Sequence, residues 1–188
     1  MKRQVGDTVP LNGITYIDSA GTPLDWTTTG YTPKLIIETA SGTVTLSATS
    51  ITAHPTQTFT AEADDDFMTC NDHGVKEGDQ IVVANSGGAL PTGLSASTRY
   101  FATNVSQNRF QLEAAPGAGK INLTTDGTGT NTFYVVGSWQ ATNAQASLSS
   151  LTAQPYRAWV AAYNGATLVE TAPVGASGFA IDVQSQGN

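Results

Sequence analysis

The sequence predicts an all-β protein: a sandwich built from both ends of the chain, with a second small β domain set between them. Three observations carry that prediction. Charged residues are only 12% of 188, about half the share of an ordinary soluble domain. The polar remainder is mostly Thr, Ser, Gly, Asn and Gln; Thr suits pleated strands, and Gly and Asn suit turns. Short alternating or β-branched runs recur along the chain, each bounded by Gly, Pro, Asn or Asp, a pattern typical of sandwiches and barrels. Hydrophobic residues at 39% and aromatics at 8% are enough for a core, and the length allows one ordinary domain or two small ones.

The first elements lie before residue 56. "GITYID" (Gly13 to Asp18) places Ile14, Tyr16 and Asp18 on one side of a strand, and "DSAGTPLD" (Asp18 to Asp25), with Gly21 and Pro23, reads as a turn. "KLIIETA" (Lys34 to Ala40) is a dense apolar run, and "GTVTLSA" (Gly42 to Ala48) alternates cleanly. Ser41-Gly42 between them reads as a tight hairpin turn.

The middle, from about Gln57 to Phe133, is denser in Gly and Asp. Its expected strands are "QIVVA", "RYFATNV", "RFQLEA", "KINLT" and "TFYVVGSWQA", with "PGAGK" and "GTGTNTF" as turns. A structureless loop of that length inside a compact domain is implausible, whereas a sandwich loop accepts an inserted module because closure cost grows slowly with length.

The C-terminal third returns to hairpin character. In "YRAWVAAYNGATLVETAP" (Tyr156 to Pro173) Asn164-Gly165 separates two apolar alternations, the strongest short-range hairpin signal. Tyr156, Ala158, Val160 and Ala162 share one face, and Arg157, Trp159, Ala161 and Tyr163 the other. "GFAIDV" (Gly178 to Val183) makes a final strand. Helix evidence is thin: Thr142 to Pro155 is rich in Ser and Thr, fits a short turn, and is closed by Pro155. The flanks match each other better than the middle. The expected domains are therefore residues 1–56 with 137–188 as one discontinuous sandwich, immunoglobulin-like in kind, and 57–136 as an inserted, small, β-barrel-like domain.

Charge and cysteine count narrow the function. Net charge is −7 and the eight Lys and Arg are scattered. Phosphate recognition needs them clustered, so neither nucleic acid nor an anionic membrane surface is an expected partner. Cys70 is the only cysteine, so no internal disulfide is possible and packing alone must stabilise the fold. "MKRQVGDTVPL" is basic but lacks an apolar run after it, so it does not read as a signal peptide. No stretch reaches the length of a membrane helix. Folding in a cytoplasm is the expectation.

Five constellations invite a chemical reading. His73 with Cys70, Asp72 and Asp64-Asp65-Asp66 has the residue types of a metal site. Zinc wants four ligands, and no second pair follows Cys70 and His73; calcium loops alternate their oxygens, and "DDD" does not. "DHG" instead reads as a turn with Gly74 at positive φ. "PGAGK" (Pro116 to Lys120) fails as a phosphate loop, because Ala114 and Ile121 stand where Gly and Ser or Thr are required. Glu62 and Asp64 form a carboxylate pair of the kind glycosidases use, with nothing to raise them above solvated background. Trp26, Trp139, Trp159 and the tyrosines suit a sugar platform or, more commonly, a core or interface. "NVS" (Asn104 to Ser106) and "NLT" (Asn122 to Thr124) match the glycosylation pattern and, without a secretory route, read as ordinary strand residues. No catalytic, cofactor-binding or metal-binding residue is assigned, and no cofactor is expected.

Two stretches resemble proteins of tailed bacteriophages. Gly6-Asp7-Thr8, Asp18, Gly21, Pro23-Leu24-Asp25, Lys34 to Ile37 and Gly42 resemble the N-terminal β-sandwich domain of the baseplate upper protein type, and "YRAWVAAYNGATLVETAPVGASGFAIDV" looks like its closing strands. The middle resembles a β-module of phage tail-associated proteins. Its anchors here are His73-Gly74-Val75, Gly78-Asp79, Leu90-Pro91, Gly93-Leu94, Thr98, Tyr100, Phe110, Leu112 and Gly127 to Thr130. The resemblance implies a non-enzymatic structural protein of the virion, made in the host cytoplasm, at the head surface, head–tail connector, tail or baseplate. Its expected partners are other virion proteins and copies of itself, joined through neutral, Thr-rich strand edges. The alternative is a host-surface glycan-binding module for adsorption, using Trp139, Tyr100 and the loops Gly87 to Leu94 or Gly117 to Lys120. A metal-dependent enzyme around His73 is the weakest reading.

Overall fold

The computed structural model describes residues 2–4, 11–12, 22–26, 30–39, 42–46, 51–141, 155–171 and 179–184. The expected strand "GITYID", the "GDT" start and the Ser- and Thr-rich stretch 142–154 lie outside these residues. The protein is all-β, with several antiparallel sheets. The chain divides into two compact units: residues 1–54 with 137–188, and residues 55–136.

In the first unit, β3 (Thr32–Thr39) and β4 (Gly42–Leu46) pair antiparallel, with Thr39 opposite Gly42. Gly42 is therefore already a strand residue. β13 (Pro155–Asn164) and β14 (Thr167–Thr171) form the hairpin signalled by Asn164-Gly165, and Gly165 takes φ +60° between the paired Asn164 and Thr167. β13 also pairs with β3 over Arg157 to Tyr163 and with β15 (Phe179–Gln184) over Pro155 to Ala158. β1 (Lys2–Gln4) adds parallel to β15. The resulting sheet runs β1-β15-β13-β3-β4, with β14 beside β13. A smaller sheet holds β2 (Leu11–Asn12), β12 (Trp139–Ala141) and β5 (Ile51–Ala53) in the order β2-β12-β5. Sheets made from distant chain segments bury apolar surface between them, an arrangement that fits a sandwich. Leu24, Trp26, Ile36, Trp139, Ala161 and Ala162 are buried here.

In the second unit six antiparallel strands close in the order β10-β7-β6-β11-β8-β9, and β9 pairs back to β10. They are β6 (Gln57–Glu62), β7 (Phe67–Thr69), β8 (Gln80–Ser86), β9 (Arg99–Thr103), β10 (Arg109–Glu113) and β11 (Thr130–Val135). Phe59, Met68, Ile81, Val83, Phe110 and Phe133 fill the interior. Phe110 meets His73 edge-on at 4.9 Å and Phe133 edge-on at 5.2 Å between ring centroids, the geometry aromatic quadrupoles favour.

Two strand expectations change. "KINLT" is not a strand: Lys120 makes one isolated bridge to Glu113, while Ile121 and Leu123 pack on the barrel core. A short segment can add apolar cover without joining the ladder. "TFYVVGSWQA" is two strands, β11 and β12, broken at Gly137 with φ +79°. β6 and β7 had no counterpart among the expected strands. Among the described residues no helix is long and apolar enough to cross a membrane.

Candidate functional site

His73 stands in a turn where Asp72 (φ +49°) and Gly74 (φ +69°) both adopt left-handed backbone. Its side chain is buried. Nδ1 accepts a hydrogen bond from the Val75 N–H at 2.9 Å, and its carbonyl accepts from Gln57 Nε2 at 2.9 Å. The proton is thereby placed on Nε2, which is buried and lacks a partner in hydrogen-bond geometry. Burial pushes the imidazole below its ordinary pKa, while the Ser106 and Arg109 carbonyls and the Asp72 charge pull it back. Neither nitrogen offers a lone pair to a ligand in this arrangement.

Gln57, which the sequence did not single out, ties the turn together, because its Oε1 also faces Cys70 Sγ at 3.5 Å. Burial raises the Cys70 thiol, which keeps it protonated and weakly nucleophilic. Among the described residues no group of three or more His, Cys, Asp or Glu is arranged to hold a metal ion.

The acidic run forms the β6–β7 turn. Asp66 is buried at φ +65°. Its Oδ1 accepts from the Leu123 N–H at 2.7 Å and its Oδ2 meets Lys120 Nζ at 2.8 Å. The Lys120 hydrogen bond first, then the Leu123 N–H, hold its pKa below the usual carboxylate range, against burial. Asp65 meets Arg109 at 3.2 Å, and its carbonyl accepts from Gln111 Nε2 at 2.7 Å. These carboxylates clamp the turn to β10, through Asp65, and to the segment after it, through Asp66.

The same contacts answer the "PGAGK" question. Lys120 is paired to Asp66, and the Gly117 N–H donates to Glu113 Oε1 at 3.0 Å. Glu62 and Asp64 do lie together in an open cleft of about 460 Å³ that also includes Asp65, Thr124, Thr125 and Asp126. Glu62 accepts from the Thr69 hydroxyl at 2.6 Å, and Asp126 accepts from the Ala63 N–H at 2.8 Å.

Three of the aromatic candidates are inside, whereas Tyr31, Tyr134 and Tyr163 are partly exposed. Trp26, Trp139 and Tyr100 are 2%, 4% and 5% exposed, so none presents a ring face to a sugar. Trp26 Nε1 donates to the Ser138 carbonyl at 3.1 Å, and the Tyr100 hydroxyl accepts from the Ser95 N–H at 2.8 Å. The side chain of Trp159 lies outside the description. Asn104, of "NVS", donates from Nδ2 to Gln111 Oε1 at 2.5 Å. Asn122, of "NLT", is exposed.

Several residues of the ordered pattern in the middle segment build turns and core. Gly78 donates to the Ala102 carbonyl at 2.8 Å, and Asp79 Oδ2 accepts from the Lys76 N–H at 2.8 Å. Pro91, Leu94, Tyr100, Phe110 and Leu112 are buried. The loops 86–94 and 122–129 zip together: Thr128 N–H donates to the Ala89 carbonyl at 2.8 Å, and Ala89 N–H to Thr128 Oγ1 at 3.1 Å. Asn85 completes the join, donating to the Thr128 carbonyl at 2.6 Å and accepting from the Gly88 N–H at 3.0 Å.

One further feature carries no side-chain chemistry. The large sheet ends in β1 on one side and β4 on the other. β1 brings Lys2 and Arg3 to its edge, whereas β4 reads Gly-Thr-Val-Thr-Leu. Among the described residues β4 pairs with β3 alone. Charge on an edge strand deters pairing with another chain, and its lack invites it. No family model matches the chain, and neither the curated proteins nor the solved structures include a match to it.

Proposed function

We propose that this chain is a non-enzymatic structural subunit of a tailed-bacteriophage virion, at the head surface, head–tail connector, tail or baseplate. In this reading the first unit is an immunoglobulin-like sandwich and residues 57–136 are a barrel module inserted between its strands. Its partners are other virion proteins and copies of itself. The observation that carries the proposal is the uncharged edge of β4, five residues long, in a sheet whose opposite edge is guarded by Lys2 and Arg3. An edge left in that state suits backbone pairing with another subunit. The motif residues of the middle segment support it from the other side, since they build turns and core.

The test is direct. Particles released by cells carrying the gene are purified on a density gradient and their proteins identified by mass spectrometry, with gold-labelled antibody against the chain as a second readout. The chain is expected at a fixed ratio to the major particle proteins, with label on one particle substructure. Its absence from intact particles overturns the proposal. The glycan-binding alternative loses the ring faces of Trp26, Trp139 and Tyr100 to the core.

A further inference from the structure

The chain's edges are unequal, and the differences select one of them. β2 and β5, which end the smaller sheet, are two and three residues long, and short edges are poor templates. β1 carries Lys2 and Arg3, and β14 carries Glu170. Among the edge strands of the described residues, β4 alone is both five residues long and uncharged. It also sits in a long neutral context: no Asp, Glu, Lys or Arg occurs between Glu38 and Glu62.

The register of the β3–β4 hairpin fixes which backbone groups face outward. Thr39 lies opposite Gly42, leaving two residues between them, so this closing pair exchanges hydrogen bonds. By the alternation of an antiparallel ladder, Gly42, Val44 and Leu46 direct N–H and C=O toward β3, while Thr43 and Thr45 direct theirs away from it. Those outward groups repeat symmetrically about Val44.

We infer that β4 pairs antiparallel with β4 of a second copy, about a twofold axis through Val44. Position 43 of each copy then lies opposite position 45 of the other, and both pairs exchange their backbone hydrogen bonds. An isologous contact requires a surface that complements itself. This one does, because an antiparallel neutral strand meets no like charge on its own copy. The inference rests on the virion reading only for its biological use; the pairing itself is a property of the pure chain.

The test uses the full-length protein and sedimentation velocity. The wild type is expected as a concentration-dependent dimer. Thr45→Pro removes an outward N–H while sparing the bonds to β3, and shifts the chain to monomer. The double variant T43K/T45K sets lysine opposite lysine twice and weakens self-association by about tenfold or more. T43K/T45E sets lysine opposite glutamate at the same positions and retains the dimer. Val44→Cys in a Cys70→Ser background forms an oxidised dimer, because facing positions at the axis fall within disulfide reach, whereas Leu168→Cys, at an exposed position of β14, does not. A monomeric wild type, equal behaviour of the two double variants, or cross-linking at 168 in place of 44 overturns the inference. A monomer that is nonetheless present in purified particles overturns this pairing and leaves the virion reading standing. A β4-paired dimer absent from particles does the reverse.

Discussion

In residues 55–136 every barrel strand has a neighbour on both sides, because β9 closes back onto β10. In the rest of the chain the large sheet stops at β4, whose outward backbone groups have no partner among the described residues. Closure abolishes edges. The two units therefore differ in what they can do: one is a sealed, packed body, and the other can be extended by another strand. The motif that looks most functional, around His73, lies in the sealed unit. The feature best suited to assembly is a plain five-residue strand in the open one.

The comparison breaks first at the barrel core. Phe110 is fully buried between His73 and Phe133, so Phe110→Ala should cost about 3–5 kcal/mol. In denaturant melts it should unfold the 55–136 unit and leave the hairpin-rich unit's transition in place. A loss under about 1 kcal/mol, or a shared loss of both transitions, would show that the units are not separable in this way.

The loop zipper comes next. A Cβ on Gly88 would lie 2.3 Å from the Thr128 carbonyl oxygen. Gly88→Ala should therefore cost about 1–3 kcal/mol. Gly74 has open space but φ +69°, and Gly74→Ala should cost about 1–2 kcal/mol from backbone strain alone. A Gly88→Ala loss below about 1 kcal/mol, read from urea midpoints, would contradict the close approach of the two loops.

Acid should act on the barrel in two stages. The His73 pKa is lowered by burial, so the unfolded chain takes up that proton more readily. Its contribution is complete above the ordinary value of 6.5 and declines as pH falls below it. Asp66 has a lowered pKa, through Lys120 and Leu123, so its contribution persists to more acid pH and is lost as pH falls through the folded value. Asp79, raised by burial, acts in the opposite sense and offsets part of that loss. His73→Asn, which can still accept from the Val75 N–H, should flatten the first stage in urea titrations at stepped pH. An unchanged slope would exclude His73 as its source.

The smallest stability effect belongs to the open edge. Thr45→Pro should change the melting of the isolated chain by no more than about 0.5 kcal/mol while changing its association state. A large loss of stability would mean that the Thr45 N–H is already bonded within the chain.

Strand class was legible from composition and alternation. The hairpins around Asn164-Gly165 and between Lys34 and Leu46 were legible too, because turn and strand are encoded locally. β7 was not: Phe67–Thr69 is three residues beside an acidic run, and it becomes a strand by pairing with β6 and β10. "KINLT" carries strand propensity but has no place in the ladder; Leu123 joins, and Ile121 packs against, the core cluster that holds Leu112 and Leu94. The turn at Asp72-His73-Gly74 is legible in the sequence from Gly74, whereas Gln57 and Asn85, which hold that unit's loops, give no sequence signal. Amides like these gain a role only from what folding sets beside them.

By itself, the sequence determined β architecture, low charge, a single thiol and local hairpins, all of which depend on neighbouring residues. Tertiary structure alone decided which strands meet: β6 with β11, β13 with β3, and β12 between β2 and β5. Those pairings join segments far apart in the chain. Their stability comes from shared burial and ladder bonds that no single window of residues contains.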